Sequence, residues 1–310
     1  MNNKRKTLRT VTRDQLISDF ITLGIRKGDL LNVKASLKSI GYVEGGADTL
    51  LDALLYVIGD VGTIVTDSFV NIYPMGQVIS DKSLISDDYT ESYAGALANA
   101  MLRYPNVVRG GHPIQKFSAI GFKAKELMLN HTPESYAYNV LKIMSESDGR
   151  NLKIGPDEKV VGVGTTHVAI GLLEYEQKRL VRGINFKDNK ENVVSFERNW
   201  AGGCGKGFNN FLPLYHERGA IVREGKIGFA DSKITDMKMT LKIEIEKLST
   251  NPAYFMCDDT DCINCRLSWK FSDDNILLFS LRNLLRLKIK AIYKALELLV
   301  SGKYYPQSTN

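Results

Sequence analysis

The chain has 310 residues, 44% of them hydrophobic and 25% charged, with 26 Gly, 8 Pro and 4 Cys. These proportions exclude a disordered, collagen-like or low-complexity chain, and the length suffices for one large α/β domain. The 41 Lys and Arg against 35 Asp and Glu leave a net charge of +6, too mild to call for nucleic acid but suited to anionic small ligands.

Thr12 and Gln15 have capping-box spacing and open a predicted helix through Ile17 and Phe20, stopped at Gly24. Residues 30–33 read as a short buried strand. Gly45-Gly46 leads an amphipathic helix in which Ala47, Leu50, Leu51, Leu54, Leu55 and Ile58 keep helical spacing up to Gly59. A second strand is expected at 63–66, a polar loop at 71–89, and a helix from about Ala94 to Tyr104 ending at Pro105. Residues 117–120 read as a third strand, 124–130 as a helix, 159–163 as a fourth strand and 166–179 as a helix. This alternation predicts a layered α/β fold around a largely parallel sheet. The Gly-rich stretch 182–239 favours antiparallel strands. Residues 275–300 read as one long helix, with Arg282, Arg286, Lys290 and Lys294 as a basic stripe beside leucines.

No apolar run approaches the roughly 20 residues of a membrane span. The basic start, residues 1–10, has no apolar stretch behind it, and four cysteines do not make a disulfide scaffold. The expectation is a cytoplasmic protein with one domain over 1–270 and a C-terminal amphipathic helix extension over 271–310.

Three stretches carry a family resemblance: Lys-Ala-Ser-Leu-Lys-Ser-Ile-Gly-Tyr-Val-Glu-Gly-Gly from Lys34, Gly-Asp-Val-Gly-Thr-Ile-Val from Gly59, and Arg-Gly-Gly-His-Pro from Arg109. In order and spacing the chain resembles the aminoglycoside 3-N-acetyltransferase, or antibiotic N-acetyltransferase, family. Its members carry H-x-S-L-x-x-I-G-x-V-x-G-G, V-G-x-x-G-T-L and R-S-x-H-P. The resemblance implies a layered α/β/α antibiotic N-acetyltransferase-like fold with, here, a C-terminal helical extension. It also implies transfer of acetyl from acetyl-CoA to an amine on a sugar or aminocyclitol.

The first stretch makes physical sense as a phosphate cradle. Ser36 and Ser39 offer hydroxyls just after a strand, and Gly45 and Gly46 expose backbone N–H groups at a helix mouth. Lys34 stands where the family usually has His and adds positive charge. With Leu37 and Arg109 these complete the set expected to contact acetyl-CoA; the plain alternative is a turn with surface serines. Gly110 replaces the family's Ser.

The family's helix after a G-x-G strand end carries T-x-x-H-x-x-E, with that His as general base. Here Glu174 matches the Glu, but Gly171 stands at the His position. The nearest imidazole, His167, lies seven residues before Glu174 and so on nearly the same helical face. His167 or His112 is expected to take the proton of the attacking amine. Glu174 would orient that base or hold the amine, and Asp67 is a further carboxylate for the acceptor. The competing readings are a helix-capping His167, or a chain that has lost or rerouted catalysis.

Cys257-x4-Cys262-x2-Cys265, with Cys204, supplies four thiolates for a structural zinc. The spacing is also similar to that of plant-type ferredoxins, and a metal-free cluster is the third reading. Drug-modifying members take polycationic aminoglycosides, a poor match to a +6 chain. The expectation is therefore an N-acetyltransferase for a nucleotide-linked or lipid-linked amino sugar in cell-surface polysaccharide synthesis. The alternatives are an aminoglycoside 3-N-acetyltransferase of antibiotic resistance, or a non-catalytic CoA- or metal-binding protein of the same fold. No nucleic-acid partner is expected. The basic tail helix suits peripheral contact with an anionic membrane face or docking on the domain or on a second copy in a homodimer.

Overall fold

A computed structural model describes residues 10–306 apart from 161, 201, 273 and 274. Seven strands form the central sheet: β1 (Leu30–Ala35), β2 (Thr63–Asp67), β3 (Val108–Arg109), β4 (Phe117–Gly121), β5 (Gly149–Ile154), β6 (Ile221–Ile227) and β7 (Ala230–Asp236). Their spatial order is β6-β7-β5-β1-β2-β4-β3. Only β5, β1 and β2 run parallel to one another; the outer pairings are antiparallel. The sheet is thus mixed rather than largely parallel.

Helices cover both faces, giving the expected α/β/α layering. On one side α1 (Arg13–Leu23) and α2 (Gly46–Ile58) bury Leu16, Phe20, Leu50, Leu51 and Leu54 against Leu31, Val33, Ile64 and Leu152. Each such side chain contributes about 1.5–3 kcal/mol by leaving water. On the other side α3 (Asn139–Glu146), α4 (Thr165–Leu172) and α5 (Met237–Thr250) pack Val140, Leu141, Val168 and Ile243 against Leu30, Val65 and Phe117. The Thr12 cap forms as its spacing predicts, its hydroxyl accepting from the Gln15 amide at 3.3 Å.

Three expectations fail for identifiable reasons. Among the described residues of 159–163, which leave out Val161, no strand forms: Gly155, Gly162 and Gly164 take φ of +133°, +64° and +90°, which are turn conformations. The strand is β5, ten residues earlier. Its polar alternation hid it, because Asn151 and Lys153 are buried and satisfied: Asn151 accepts from Asn32 at 2.9 Å and donates to Thr235 at 3.3 Å. The helix expected over 166–179 stops at Leu172, and Glu176–Leu180 is a strand paired with Gly302–Pro306.

The long C-terminal helix is two, α6 (Ile276–Leu285) and α7 (Ile289–Ser301), broken at Leu287, which has φ +55°. The break also interrupts the basic stripe: Arg282 donates to the Thr260 carbonyl, and Arg286 pairs with Asp261. The segment after 270 returns to the main body through the Gly302–Pro306 strand. As expected, the 182–239 region contains antiparallel pairs, Arg182–Lys187 with Val193–Glu197 and β6 with β7. No helix among the described residues is long and apolar enough to cross a membrane.

Candidate active site

Strands that run parallel in mid-sheet gather their last residues at one edge, where ligands of α/β folds tend to bind. Lys34 closes on Asp67 there, Nζ to Oδ2 at 3.0 Å. Asp67 Oδ1 is sealed from solvent and has no hydrogen-bond partner. Register places Lys34 beside Lys153 and Lys153 beside Lys233. Asp157 takes up the latter two, so the row of cations is neutralised along the edge.

Helix α4 begins beside this pair. A Cβ on its cap residue, Gly164, would come within 3.7 Å of Lys34 Nζ and 2.8 Å of a Leu141 methyl, and its φ of +90° favours glycine. One turn on, His167 stacks on Tyr138 with centroids 4.2 Å apart and meets Trp200 and Phe208 edge-on. The Tyr136 hydroxyl donates to its carbonyl at 2.6 Å. Nδ1 is buried without a partner, and the ring lines the adjoining cavity. Burial, reinforced by the charges of Lys34 and Arg179, holds the imidazole well below its ordinary pKa, so it is neutral at pH 7.

That cavity, about 240 Å³, is lined by His167, Tyr93, Tyr138, Arg179, Arg198 and Gly203, among others. Arg179 and Arg198 also line a second cavity of about 550 Å³, with Arg182, Lys290 and Lys294 on its far walls. Among the described residues neither Arg179 nor Arg198 pairs with a carboxylate, and the Nε of each is buried without a partner. Arg179 Nη1 donates to Asn264 and Arg198 Nη2 donates to the Leu180 carbonyl at 2.8 Å, so what the two guanidinium groups offer an anionic group is uncompensated positive charge beside the cavity.

The other site residues named from sequence divide. Ser36 and Ser39 share a hydrogen bond of 2.8 Å at the exit of β1, and Leu37 packs on the core. Gly45 caps α2 at φ +77°, where a Cβ would strike the Thr49 hydroxyl at 2.2 Å, and Gly46 follows at φ +69°. No side chain caps this helix, so its first amides remain available.

Three residues depart from their expected roles. His112 is wholly buried; its Nδ1 accepts from the amides of Ile114 and Gln115 at 3.2 and 3.1 Å, while Nε2 meets Asn199 at 3.3 Å. Burial and neighbouring His131 push it down to about 3. With its lone pair occupied, His112 braces a turn and cannot serve as base. Arg109 spends its terminal nitrogens on the carbonyls of Ser68, Asp87, Asp88 and Thr90, clamping a loop instead of facing a cofactor. Glu174 lies past the end of α4 at φ +53° and is exposed, so the shared helical face with His167 does not form.

Sequence reasoning missed the aromatic wall of Tyr93, Tyr138 and Trp200, the arginine pair, and Glu244. The last is buried on α5, accepting from the hydroxyls of Thr166 at 2.6 Å and Tyr215 at 2.5 Å, with a carboxyl pushed up to about 7 by burial. A Tyr-Ala-Tyr run and isolated arginines in turn-rich sequence gave no periodic signal. The expected cysteine cluster does assemble: the sulfurs of Cys204, Cys257, Cys262 and Cys265 all lie within 4.8 Å of one another.

Known proteins share sequence and fold with this chain. The family model described as Aminoglycoside 3-N-acetyltransferase matches residues 33–249. Aminoglycoside N(3)-acetyltransferase IX of Micromonospora chalcea is 28% identical over 259 residues, 73% of this chain and 89% of the relative. Aminoglycoside N(3)-acetyltransferase VII of Streptomyces paromomycinus is 30% identical over 137 residues, 39% and 46% of the two chains. Among solved structures, the fold is shared with aminoglycoside acetyltransferase AAC(3)-Xa at a TM-score of 0.67 and 24% identity, covering 77% of this chain and 93% of that one. The YokD protein from Bacillus subtilis also scores 0.67, at 21% identity over 78% and 94%.

Proposed function

The chain belongs to the aminoglycoside 3-N-acetyltransferase family and is an acetyl-CoA-dependent N-acetyltransferase; from that premise we propose that its acceptor is an amino sugar carrying a phosphoryl or diphosphoryl group. The observation that carries the acceptor class is the pair Arg179 and Arg198, which have no carboxylate partner among the described residues and line the same cavity as His167.

In this reading the sugar amine approaches Asp67 and, displacing the side chains that close over Oδ1, gives that oxygen the N–H donor it lacks. His167, neutral and lining the cavity, takes the proton as the amine nitrogen attacks the thioester carbonyl. The new C–N bond forms, the C–S bond breaks, and CoA leaves as a thiol once it regains a proton. Lys34 pairs with Asp67 Oδ2 at 3.0 Å and fixes the carboxylate's orientation. The acetyl donor approaches across Ser36, Ser39 and the open amides of Gly45 and Gly46, where a diphosphate meets uncapped donors. The base is thereby supplied one turn earlier on α4 than in the family's T-x-x-H-x-x-E pattern.

Leu277 and Leu285 of α6 and Leu299 of α7 are exposed, as is Leu287 in the break between the helices, where Lys288 and Lys290 follow in the chain. This face suits an anionic bilayer surface, which would deliver a lipid-diphosphate acceptor to the neighbouring cavity. Co-sedimentation with vesicles containing phosphatidylglycerol checks it; protein that stays in the supernatant removes the membrane part of the reading.

A second reading is favoured by the relatives, whose names are those of aminoglycoside acetyltransferases; one solved relative is bound to sisomicin. Thiol release from acetyl-CoA with three acceptors decides: an unmodified amino sugar, the same sugar linked to a nucleoside diphosphate, and sisomicin. The proposal expects the anionic acceptor to lead in kcat/KM by about tenfold or more. A lead for sisomicin replaces it with the second reading.

A further inference from the structure

We infer that Cys204, Cys257, Cys262 and Cys265 bind a single Zn2+ and that this ion fixes one wall of the acetyl-transfer cavity. The second half rests on that cavity being the acceptor site.

The sulfur geometry carries the first half. Four Sγ atoms converge within 4.8 Å of one another, and Cys204 and Cys262 are 3.8 Å apart. A tetrahedral ion with Zn–S bonds near 2.3 Å sets its ligands about 3.8 Å from each other. All four cysteines are free, and a disulfide would need a pair at about 2.05 Å. An iron–sulfur cluster places sulfides between its irons and spreads the cysteine sulfurs further than this. The surrounding backbone is already arranged for thiolates: the Cys257 amide donates to Cys265 Sγ at 3.3 Å, and the Cys265 amide donates to the Cys262 carbonyl at 3.1 Å to close the C-x2-C turn.

Charge supplies an independent argument. Four thiolates around Zn2+ leave a net −2, which a partly buried site must balance. Arg179 stands beside Cys204, Cys262 and Cys265, its Nε sealed, with no carboxylate partner among the described residues. Its Nη1 donates to Asn264, within the cysteine turn. Arg179 therefore faces the thiolates on one side and the cavity on the other.

The position of the cluster gives the second half. Gly202 and Gly203 line the cavity with His167, and Cys204 follows directly. The other three ligands come from the distant 257–265 turn, so one ion ties two separate segments together and sets where Gly203 and Arg179 stand.

Untagged protein is expected to contain about one zinc per chain, and the Co2+-substituted form to show the intense visible bands of a tetrahedral thiolate site. The four thiols should resist a disulfide reagent until a chelator is added. Cys204→Ser should lose the metal; because that variant could fail to fold, the wild-type metal content and thiol protection stand as the deciding measurements. Zinc-free protein whose four thiols react freely in the folded state overturns the site. Chelation should raise the acceptor KM about 10–100-fold while calorimetry shows CoA affinity unchanged. An unchanged acceptor KM after metal loss overturns the cavity link alone, whereas failure to bind CoA with zinc in place overturns the reading of the cavity and leaves the metal site standing.

Discussion

Lys34 Nζ lies 3.0 Å from Asp67 Oδ2, and this ion pair joins the exits of two neighbouring parallel strands. Both side chains are mostly buried, so each is the other's principal compensation. It also divides the carboxylate's oxygens: Oδ2 is committed to Lys34, while Oδ1 faces inward with nothing to accept.

Asp67→Asn is accordingly expected to lower kcat/KM for the acceptor about 100-fold with little change in the KM for acetyl-CoA, since a charge-assisted contact to the amine is lost. The double variant Lys34→Met/Asp67→Asn should recover stability relative to either single variant without recovering turnover. Denaturation midpoints and steady-state kinetics on the four proteins of the cycle check this. Equal acceptor kinetics in Asp67→Asn and wild type would remove Asp67 from the site.

The two histidines proposed from sequence should now separate cleanly. His167→Ala is expected to reduce kcat/KM about 10²–10⁴-fold, the usual worth of a positioned base. Because burial holds the His167 imidazole well below 6.5, its protonation should not appear near that pH: wild-type kcat/KM should show no loss attributable to it until more acid conditions. A limb at the ordinary histidine pKa that vanishes in His167→Gln would mean the ring is solvated and the site differently built. His112→Ala should instead leave the amides of Ile114 and Gln115 without their acceptor, costing about 1–3 kcal/mol of stability. Turnover per folded molecule should be little altered.

How much of this was legible beforehand depends on whether local pattern and tertiary demand agreed. The strand at Leu30 and the Gly46–Ile58 helix follow from their apolar residues: the strand buries Leu30 in one core and Leu31 and Val33 in the other, and the helix lays its apolar stripe on the latter. The β5 strand did not, since its buried Asn151 and Lys153 look like surface residues until Asn32 and Asp157 are placed beside them. Glu174 shows the opposite failure: a helical spacing from His167 was arithmetically sound, but α4 ends before Glu174 is reached. The cysteine spacing was a sufficient signal for the cluster of sulfurs, because Cys257, Cys262 and Cys265 lie on one short turn and only Cys204 has to be brought to them. The arginine pair was not, because Arg179 and Arg198 meet through strand pairing that no short motif records.

Glu244 offers a test of the layer beneath the site. Its carboxyl is buried and pushed up to about 7 from an ordinary 4.5. Hydrogen bonds from Thr166 and Tyr215 hold the folded pKa from rising further. Between those two pH values the unfolded chain has released the proton and the folded protein has kept it. Stability from this group is therefore fully present below about 4.5, declines as pH rises, and levels off above 7 at a cost of up to about 3 kcal/mol. Glu244→Gln keeps an acceptor for both hydroxyls and removes the titration. Urea unfolding of the two proteins at pH 5 and pH 8 should show the wild type losing stability relative to the variant across that interval. Parallel behaviour at both pH values would mean that Glu244 is ionised throughout, and so that water reaches the seam between α4 and α5.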